Sequence, residues 1–452
     1  MSESFLNGRI TLHAGDSREV LKTLADNSID SIVCDPPYAL VSISKRFGAA
    51  NAAAVKVPEG GSGAYARASR GFMGKQWDTG ETAFATDFWA ECLRVLKPGG
   101  HVVSFSGTRT YHRMACAIED AGFEIRDMLG YLYGSGFPKS HDVSKAIDKK
   151  NGIARPRIAG GCGSAGTIAS VGMKPGEAIP GEAISGEAME WQGWGTALKP
   201  AQEPICLARK PLSEKTVAAN VLKWGTGAIN IDGCRVDGKP RTTHADGNRV
   251  TSISADVYLA GKKPHGPIEG AEGRWPANII HDGSEEVLAG FPESEGGNWA
   301  GVQNGAAIWG GGQVGYSGDK QDAGTGSAAR FFYTAKADAS DRIGSKHPTV
   351  KPVDLMQWLC RLVTPKGGTI LDPFAGTGTT GEAAFREGFN AVLIEREEEY
   401  QVDIRRRMAL CLSGPDERAR ESIKARTAGQ PIDAGPLFAG SDTPDGIEMV
   451  NT

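Results

Sequence analysis

Asp35, Pro36, Pro37 and Tyr38 stand directly after the apolar run 29–34. A buried parallel strand would deliver its carboxyl end there, the usual place for a site in an open α/β sheet. Each proline fixes its own φ and biases the residue before it towards an extended backbone, so Asp35 and Pro36 are held extended. The Asp35 carboxylate and the Pro36 carbonyl then make a rigid pair of acceptors. Two acceptors gripping the hydrogens of an amine on an aromatic ring favour its pyramidal form, which frees a lone pair otherwise delocalised into the ring. An aromatic side chain immediately after, Tyr38, can stack on the face of that ring. The plain alternative is a Pro-Pro turn with an Asp cap and a surface Tyr.

A second chemical segment runs from Leu371 through Asp372, Pro373, Phe374, Ala375, Gly376, Thr377 and Gly378 to Gly381, between an expected strand and an expected helix. Glycines there allow a tight turn and close backbone approach to a ligand. Glu395, at the end of the next expected strand, is placed to accept hydrogen bonds from ribose hydroxyls. The loop therefore reads as a nucleoside cofactor site. A nicotinamide enzyme shares the Gly-x-Gly-x-x-Gly spacing, although nothing nearby suggests hydride transfer and the pattern leaves the tetrapeptide unexplained. A strand-to-helix turn with no ligand is the other reading.

Around these segments, apolar patterning predicts strands at 10–14, 29–34, 101–106 and 128–133, with a helix over 84–96 that stops at Lys97-Pro98-Gly99-Gly100. The connection 39–80 is rich in Ala, Gly and Ser. Between about 150 and 345 the chain is Gly-rich and poorly periodic. Three Gly-Glu-Ala copies, beginning at Gly176, Gly181 and Gly186, read as a surface loop. A strand over 203–208 and a helix over 213–223 ending near Gly225 are expected within it. Order returns with a helix at 353–363, a strand at 369–371, a helix at 379–388 and a strand at 391–394. Beyond about Leu412 the composition predicts a disordered tail.

Taken together, the two motifs resemble those of the DNA amino-methyltransferases, whose catalytic signature is Asp-Pro-Pro-Tyr and whose cofactor loop contains Phe-x-Gly-x-Gly, matched here by Phe374, Gly376 and Gly378. Catalytic motif first and cofactor loop last resembles the permuted β-class. Further matches are His13-Ala14-Gly15-Asp16, Leu96-Lys97-Pro98-Gly99-Gly100 and His347-Pro348-Thr349-Val350-Lys351-Pro352. The stretches 71–78, 273–278 and 330–333 are similar to methylases carried by phages and prophages.

The resemblance implies a doubly wound, mostly parallel, Rossmann-like α/β sheet, permuted, with a Gly-rich inserted recognition region. Its domains would be a catalytic half at 1–150, a target-recognition region at 151–345, a cofactor-binding half at 346–412 and the tail at 413–452. It implies S-adenosylmethionine as cofactor, double-stranded DNA as partner and a flipped base as substrate, with adenine N6 ahead of cytosine N4 because Asp leads the tetrapeptide. Asp35, Pro36, Pro37 and Tyr38 would be catalytic. Asp16, His347, Thr349, Lys351, Asp372, Phe374, Gly376, Gly378 and Glu395 would surround the cofactor. Read on spacing alone, the His347 segment is equally a turn before a helix capped by Thr349 or Asp354, and Asp16 equally caps a helix beginning near Ser17. No metal is implied.

Composition sets the outer limits. The 452 residues suit one large domain with an insertion, or two domains. With 50 Lys and Arg against 54 Asp and Glu, affinity for nucleic acid must come from a local basic surface. The middle region supplies Lys210, Lys215, Lys223, Arg235, Arg241, Arg249, Lys262, Lys263 and Arg274, with Trp224 and Trp275 among them; the region is assigned, not the individual residues. Eight scattered cysteines show no close pair of the kind that binds zinc and suit a reducing cytoplasm. No secretory start and no long apolar run are present, so a cytoplasmic protein is expected; the resemblance implies a bacterial or phage-infected cell. A homodimer is compatible with the sequence and not required by it.

Overall fold

Six residues in a row, Ile29–Cys34, are buried and form one strand. Their alternation explains how: Ile32 and Cys34 join an apolar cluster with Phe88, Trp89, Met114 and Ile118, while Ser31 bonds Thr364 at 2.8 Å. A strand covered on both faces is buried throughout, and its two polar residues are partnered: Ser31 by Thr364, Asp30 by Lys97 and by Thr369 N.

The computed structural model describes residues 2–38, 82–136, 140–155, 182–236, 242–243, 268–269, 273–294, 326–335, 339–347 and 349–427. The expectations for the 39–80 connection, the 71–78 motif and the first Gly-Glu-Ala copy, with Gly181 of the second, lie outside the described residues. The strands used below are β1 Ser2–Phe5, β2 Ile10–Ala14, β3 Ile29–Cys34, β4 Leu96–Phe105, β5 Glu124–Leu132, β6 Gln202–Arg209, β7 Ile279–His281, β8 Tyr333–Thr334, β9 Thr369–Asp372 and β10 Asn390–Glu395. The helices are α1 Ser17–Val20, α2 Thr86–Val95, α3 Tyr111–Asp120, α4 Val143–Lys150, α5 Val217–Trp224, α6 Val353–Val363, α7 Thr379–Arg386, α8 Glu398–Leu410 and α9 Pro415–Thr427.

The chain forms two compact units, one of residues 1–127, 206–234 and 336–452, the other of 128–205 and 235–335. Residues 206–234 lie with the first unit, where Asn220 and Thr226 both donate to the Pro98 carbonyl. In the first unit the strand order is β1-β2-β10-β9-β3-β4-β6. β1 is antiparallel to β2; β2, β10, β9, β3 and β4 pair in parallel. With α2 and α3 packed on Ile32 and Cys34, and α6 ending at the Thr364 that meets Ser31, the sheet is wound on both sides. This is the mostly parallel Rossmann-like α/β fold, with its first and last strands interleaved as the permuted order requires.

Three expectations need correction. The Lys97-Pro98-Gly99-Gly100 run does not break the chain before a strand: β4 already includes it. Its backbone is paired instead of turned, with Gly99 N donating to Lys210 O and Lys210 N to Gly100 O, and the register with β3 shifts between Ile29 and Ser31. Residues 415–427, expected as tail, form α9, held by Arg418 on the buried Glu382 at 2.7 Å. The third Gly-Glu-Ala copy begins a short helix, Gly186–Glu190, capped by Ser185; Ser185 is in turn held by Asp148 through its N–H and its hydroxyl.

In the second unit, β5, β7 and β8 run parallel. The 273–278 and 330–333 stretches meet there: the Arg274 guanidinium lies 5.0 Å from the Phe331 ring and donates to Arg330 O.

Candidate active site

Four neighbouring parallel strands end together, and each end carries a residue singled out above. Asp16 follows β2, Glu395 closes β10, Asp372 closes β9 and Asp35 follows β3. The pairing of Ile370 with Ser31 and Leu371 with Ile32 sets the tetrapeptide beside the start of the glycine loop. A backbone N–H of β9, Thr369 N, also donates to Asp30 Oδ2 at 2.8 Å. Segments far apart in sequence therefore share one edge of one sheet, where open α/β sheets bind ligands.

Pro36 is buried; Asp35, Pro37 and Tyr38 are half-buried. One Asp35 oxygen, Oδ2, pairs with Lys351 Nζ at 2.8 Å. The other, Oδ1, is buried and has no hydrogen-bond partner among the described residues. A buried acceptor left unsatisfied is costly, and in a folded protein it marks a place that a ligand donor can fill. Tyr38 is fixed at both ends: Thr110 donates to its carbonyl at 2.8 Å and Lys351 to its hydroxyl at 2.9 Å. The Lys351 ammonium also lies over the Tyr38 and Phe105 rings, 5.2 and 4.7 Å from their centroids.

In the glycine loop, Gly376 and Gly378 take φ of 51° and 77°, and Gly378 N donates to Ala375 O at 2.7 Å to close the turn into α7. A Cβ on Gly378 would come within 3.0 Å of Ile404. Asp372 accepts from Phe374 N at 3.0 Å and Thr380 Oγ1 at 2.5 Å. Burial pushes its carboxyl up to about 7, against those hydrogen bonds. Phe374 rests on Phe88, centroids 5.1 Å apart. Glu395 accepts from Gly376 N at 2.7 Å and Glu397 N at 2.8 Å. Burial likewise raises it to about 7, with the nearby Glu397 and Asp372 charges adding to the effect.

Asp16 does cap α1, accepting from Arg18 N at 2.9 Å, and pairs with the Arg18 guanidinium. Its hydrogen bond from Arg18 holds its carboxyl below the ordinary value. His347 packs edge-on against Tyr400, 4.5 Å between centroids, and its ring lies 3.5 Å from the point where a Gly376 Cβ would sit. Burial lowers its pKa to about 4, so the ring is neutral at pH 7. His347 Nδ1 and the Thr349 carbonyl lie 2.8 Å apart in a local turn. Thr349 and Asp354 do not cap α6; Asp341 does that work, accepting from Val353 N. Lys351, grouped with the cofactor residues on the sequence, is brought to the tetrapeptide.

Sequence reasoning missed Thr110, Phe105 and Gly107. A Cβ on Gly107 would meet the Tyr38 ring at 3.3 Å. The available signal was Phe-Ser-Gly-Thr at the end of an apolar strand next to the catalytic one. Of the basic candidates, Lys210 is taken up inside the first unit, donating to Leu96 O at 2.7 Å, and Lys223 pairs with Glu214. Arg235 stacks on the exposed Trp275, 5.5 Å from its centroid. Arg241, Arg249, Lys262 and Lys263 lie outside the described residues.

The strand order and paired motifs define a class, and comparison with known families agrees. The DNA methylase family of N6 and N4 amino-methylases matches residues 29–217 and 297–406, and the chain belongs to that family. The Type II methyltransferase M.HindIII of Haemophilus influenzae is 24% identical over 48% of this chain and 64% of its own length. M2.DpnII of Streptococcus pneumoniae is 41% identical over 15% of this chain and 25% of its own. The chain thus spans less than two thirds of either of these relatives. Among solved structures, the PvuII DNA methyltransferase, described as cytosine-N4-specific, is 13% identical, with 93% of each chain covered and a TM-score of 0.39. Among the described residues no helix is long and apolar enough to cross a membrane.

Proposed function

We propose that this protein transfers the methyl group of S-adenosylmethionine to adenine N6 in double-stranded DNA. The observation that carries the reading is the Asp35 carboxylate: it stands at the end of β3, beside the glycine loop of β9, with Oδ1 buried and lacking a donor among the described residues. The residues present suit the cofactor. The left-handed Gly376 and Gly378 keep side chains out of the loop, and the buried Glu395 retains acceptor capacity for ribose hydroxyls beyond the two N–H groups it holds. When bound, S-adenosylmethionine supplies an electrophilic methyl on a sulfonium, with a neutral thioether as leaving group.

The chain's own residues then have three tasks. The flipped base stacks on Tyr38, whose backbone is anchored by Thr110. Asp35 Oδ1 and the Pro36 carbonyl accept the two amine hydrogens and localise the lone pair on nitrogen. The methylated nitrogen gives up its proton to solvent water after methyl transfer, so Asp35 serves as an acceptor and not as a strong base. Catalysis by this route rests on positioning. Sequence reading is assigned to the second unit, where Arg235, Trp275, Arg274 and Phe331 interleave basic and aromatic groups.

Unmethylated DNA incubated with the protein and methyl-labelled cofactor tests this. Label in N6-methyladenine is the expected result; label in N4-methylcytosine moves the target, and no label on DNA ends the reading. Asp35→Ala should lose transfer by about 100-fold or more while retaining cofactor affinity by calorimetry.

A further inference from the structure

Lys351 makes more contacts with the tetrapeptide than its place in a cofactor segment would explain. Its ammonium reaches Asp35 Oδ2 at 2.8 Å and Tyr38 Oη at 2.9 Å, and lies over the rings of Tyr38 and Phe105. The side chain is 8% exposed and that of Asp35 19%, so the pair is largely shielded from water. An ammonium has three donors and no fixed plane, and it can bond two acceptors at once while facing an aromatic surface. Here the two acceptors are the first and last residues of the catalytic motif.

We infer that Lys351 is a positioning residue for the amine: it ties Asp35 Oδ2 to the Tyr38 hydroxyl so that Oδ1 alone is presented to the substrate, in register with the stacking ring. The inference rests on the methyltransfer reading and adds to it the reason why one carboxylate oxygen stays open. A carboxylate on a single bond can rotate about χ2, which exchanges its oxygens. Tying one oxygen to a lysine anchored on the rigid start of α6 removes that freedom. The same lysine fixes the edge of the ring that must lie parallel to the base. Pro36 and Pro37 stiffen the backbone between the two, so backbone and side chains of the motif are clamped independently. Neither Thr349 nor His347 can take over this task, since both are engaged in their own turn.

The test compares Lys351→Met, which keeps the stem and removes the charge, with Lys351→Arg, which restores a donor pair. Each variant is first checked for an unchanged circular dichroism spectrum, and its affinity for S-adenosylhomocysteine is measured by calorimetry. With wild-type turnover on DNA established, Lys351→Met should lower kcat by about 10- to 100-fold, the size expected of a small misplacement, with the KM for DNA and the affinity for S-adenosylhomocysteine within about threefold. Lys351→Arg should recover part of kcat. Duplexes carrying 2-aminopurine at the target position should still brighten with Lys351→Met, because flipping precedes the alignment that the lysine provides. The inference is overturned by unchanged kcat in Lys351→Met, or by a loss confined to S-adenosylhomocysteine affinity, which would return the lysine to the cofactor. A wild-type protein that methylates no DNA overturns the function itself, a result separate from either of these.

Discussion

Glu395 illustrates what burial does to a side chain chosen for its charge. Its carboxyl, raised to about 7 from an ordinary 4.5, is largely neutral in mildly acidic solution. Ribose hydroxyls donate best to an ionised acceptor, so affinity for the cofactor should weaken as pH falls below about 7 and strengthen above it. Calorimetric titration with S-adenosylhomocysteine across that range checks this, and Glu395→Gln should bind more weakly with that pH dependence removed. Identical affinity for the wild type on both sides of about pH 7 would contradict the assignment. At this scale the sequence was informative about residue types and poor about partners. Asp35, Gly376 and Glu395 could be picked out from strand-end position and spacing. That Glu395 would hold Gly376 N, or that Lys351 would meet Asp35, depends on distances across strands that no local pattern encodes.

Among the elements, α7 begins at a glycine that cannot be exchanged without cost. Gly378 has φ of 77°, and its missing Cβ leaves room for Ile404 of α8. Gly378→Ala should therefore destabilise the protein by about 1–3 kcal/mol through strain and overpacking, measured by chemical denaturation, and weaken cofactor binding in parallel. Strands β2 and β3 and helix α6 lie where apolar periodicity put them, because each buries a regular face. Elements that bury charge escaped the same reading. Helix α8 hides Arg407 against Glu382 at 2.7 Å, both almost fully buried, so its run of charged residues looks solvated in sequence. α9 joins the same cluster through Arg418. β1 is a short polar edge strand and offers little apolar signal. The Pro-Gly-Gly run misled for another reason: its backbone is satisfied by residues more than a hundred positions away, including Lys210 and Asn220.

For the molecule as a whole, two opposed sets of buried groups act on stability. Asp372 and Glu395 have raised values, so the folded state keeps protons that the unfolded chain has released, and stability from these two falls as pH climbs towards about 7. His101 and His347 are lowered to about 4 by burial, so the unfolded chain binds protons the folded one does not, and their effect rises with pH from about 4 to the ordinary 6.5. Between 4.5 and 6.5 the two effects offset, and the melting temperature should change little. His101→Gln removes one of the opposing groups and should tilt the profile, with stability declining as pH rises through that window. A wild-type profile as steep as the variant's would show that other groups dominate.

The hydrogen bond from Thr369 to Asp30 joins residues 339 positions apart. Proteins are synthesised from the amino end, at a rate of roughly 5–20 residues per second, and β3 has only β4 beside it until β9 and β10 emerge. The motif proposed to grip the amine is thus made first and stays without the glycine loop for most of translation. A prematurely terminated chain of this protein would carry the tetrapeptide but no glycine loop, and on the proposed function could not mark a genome by accident.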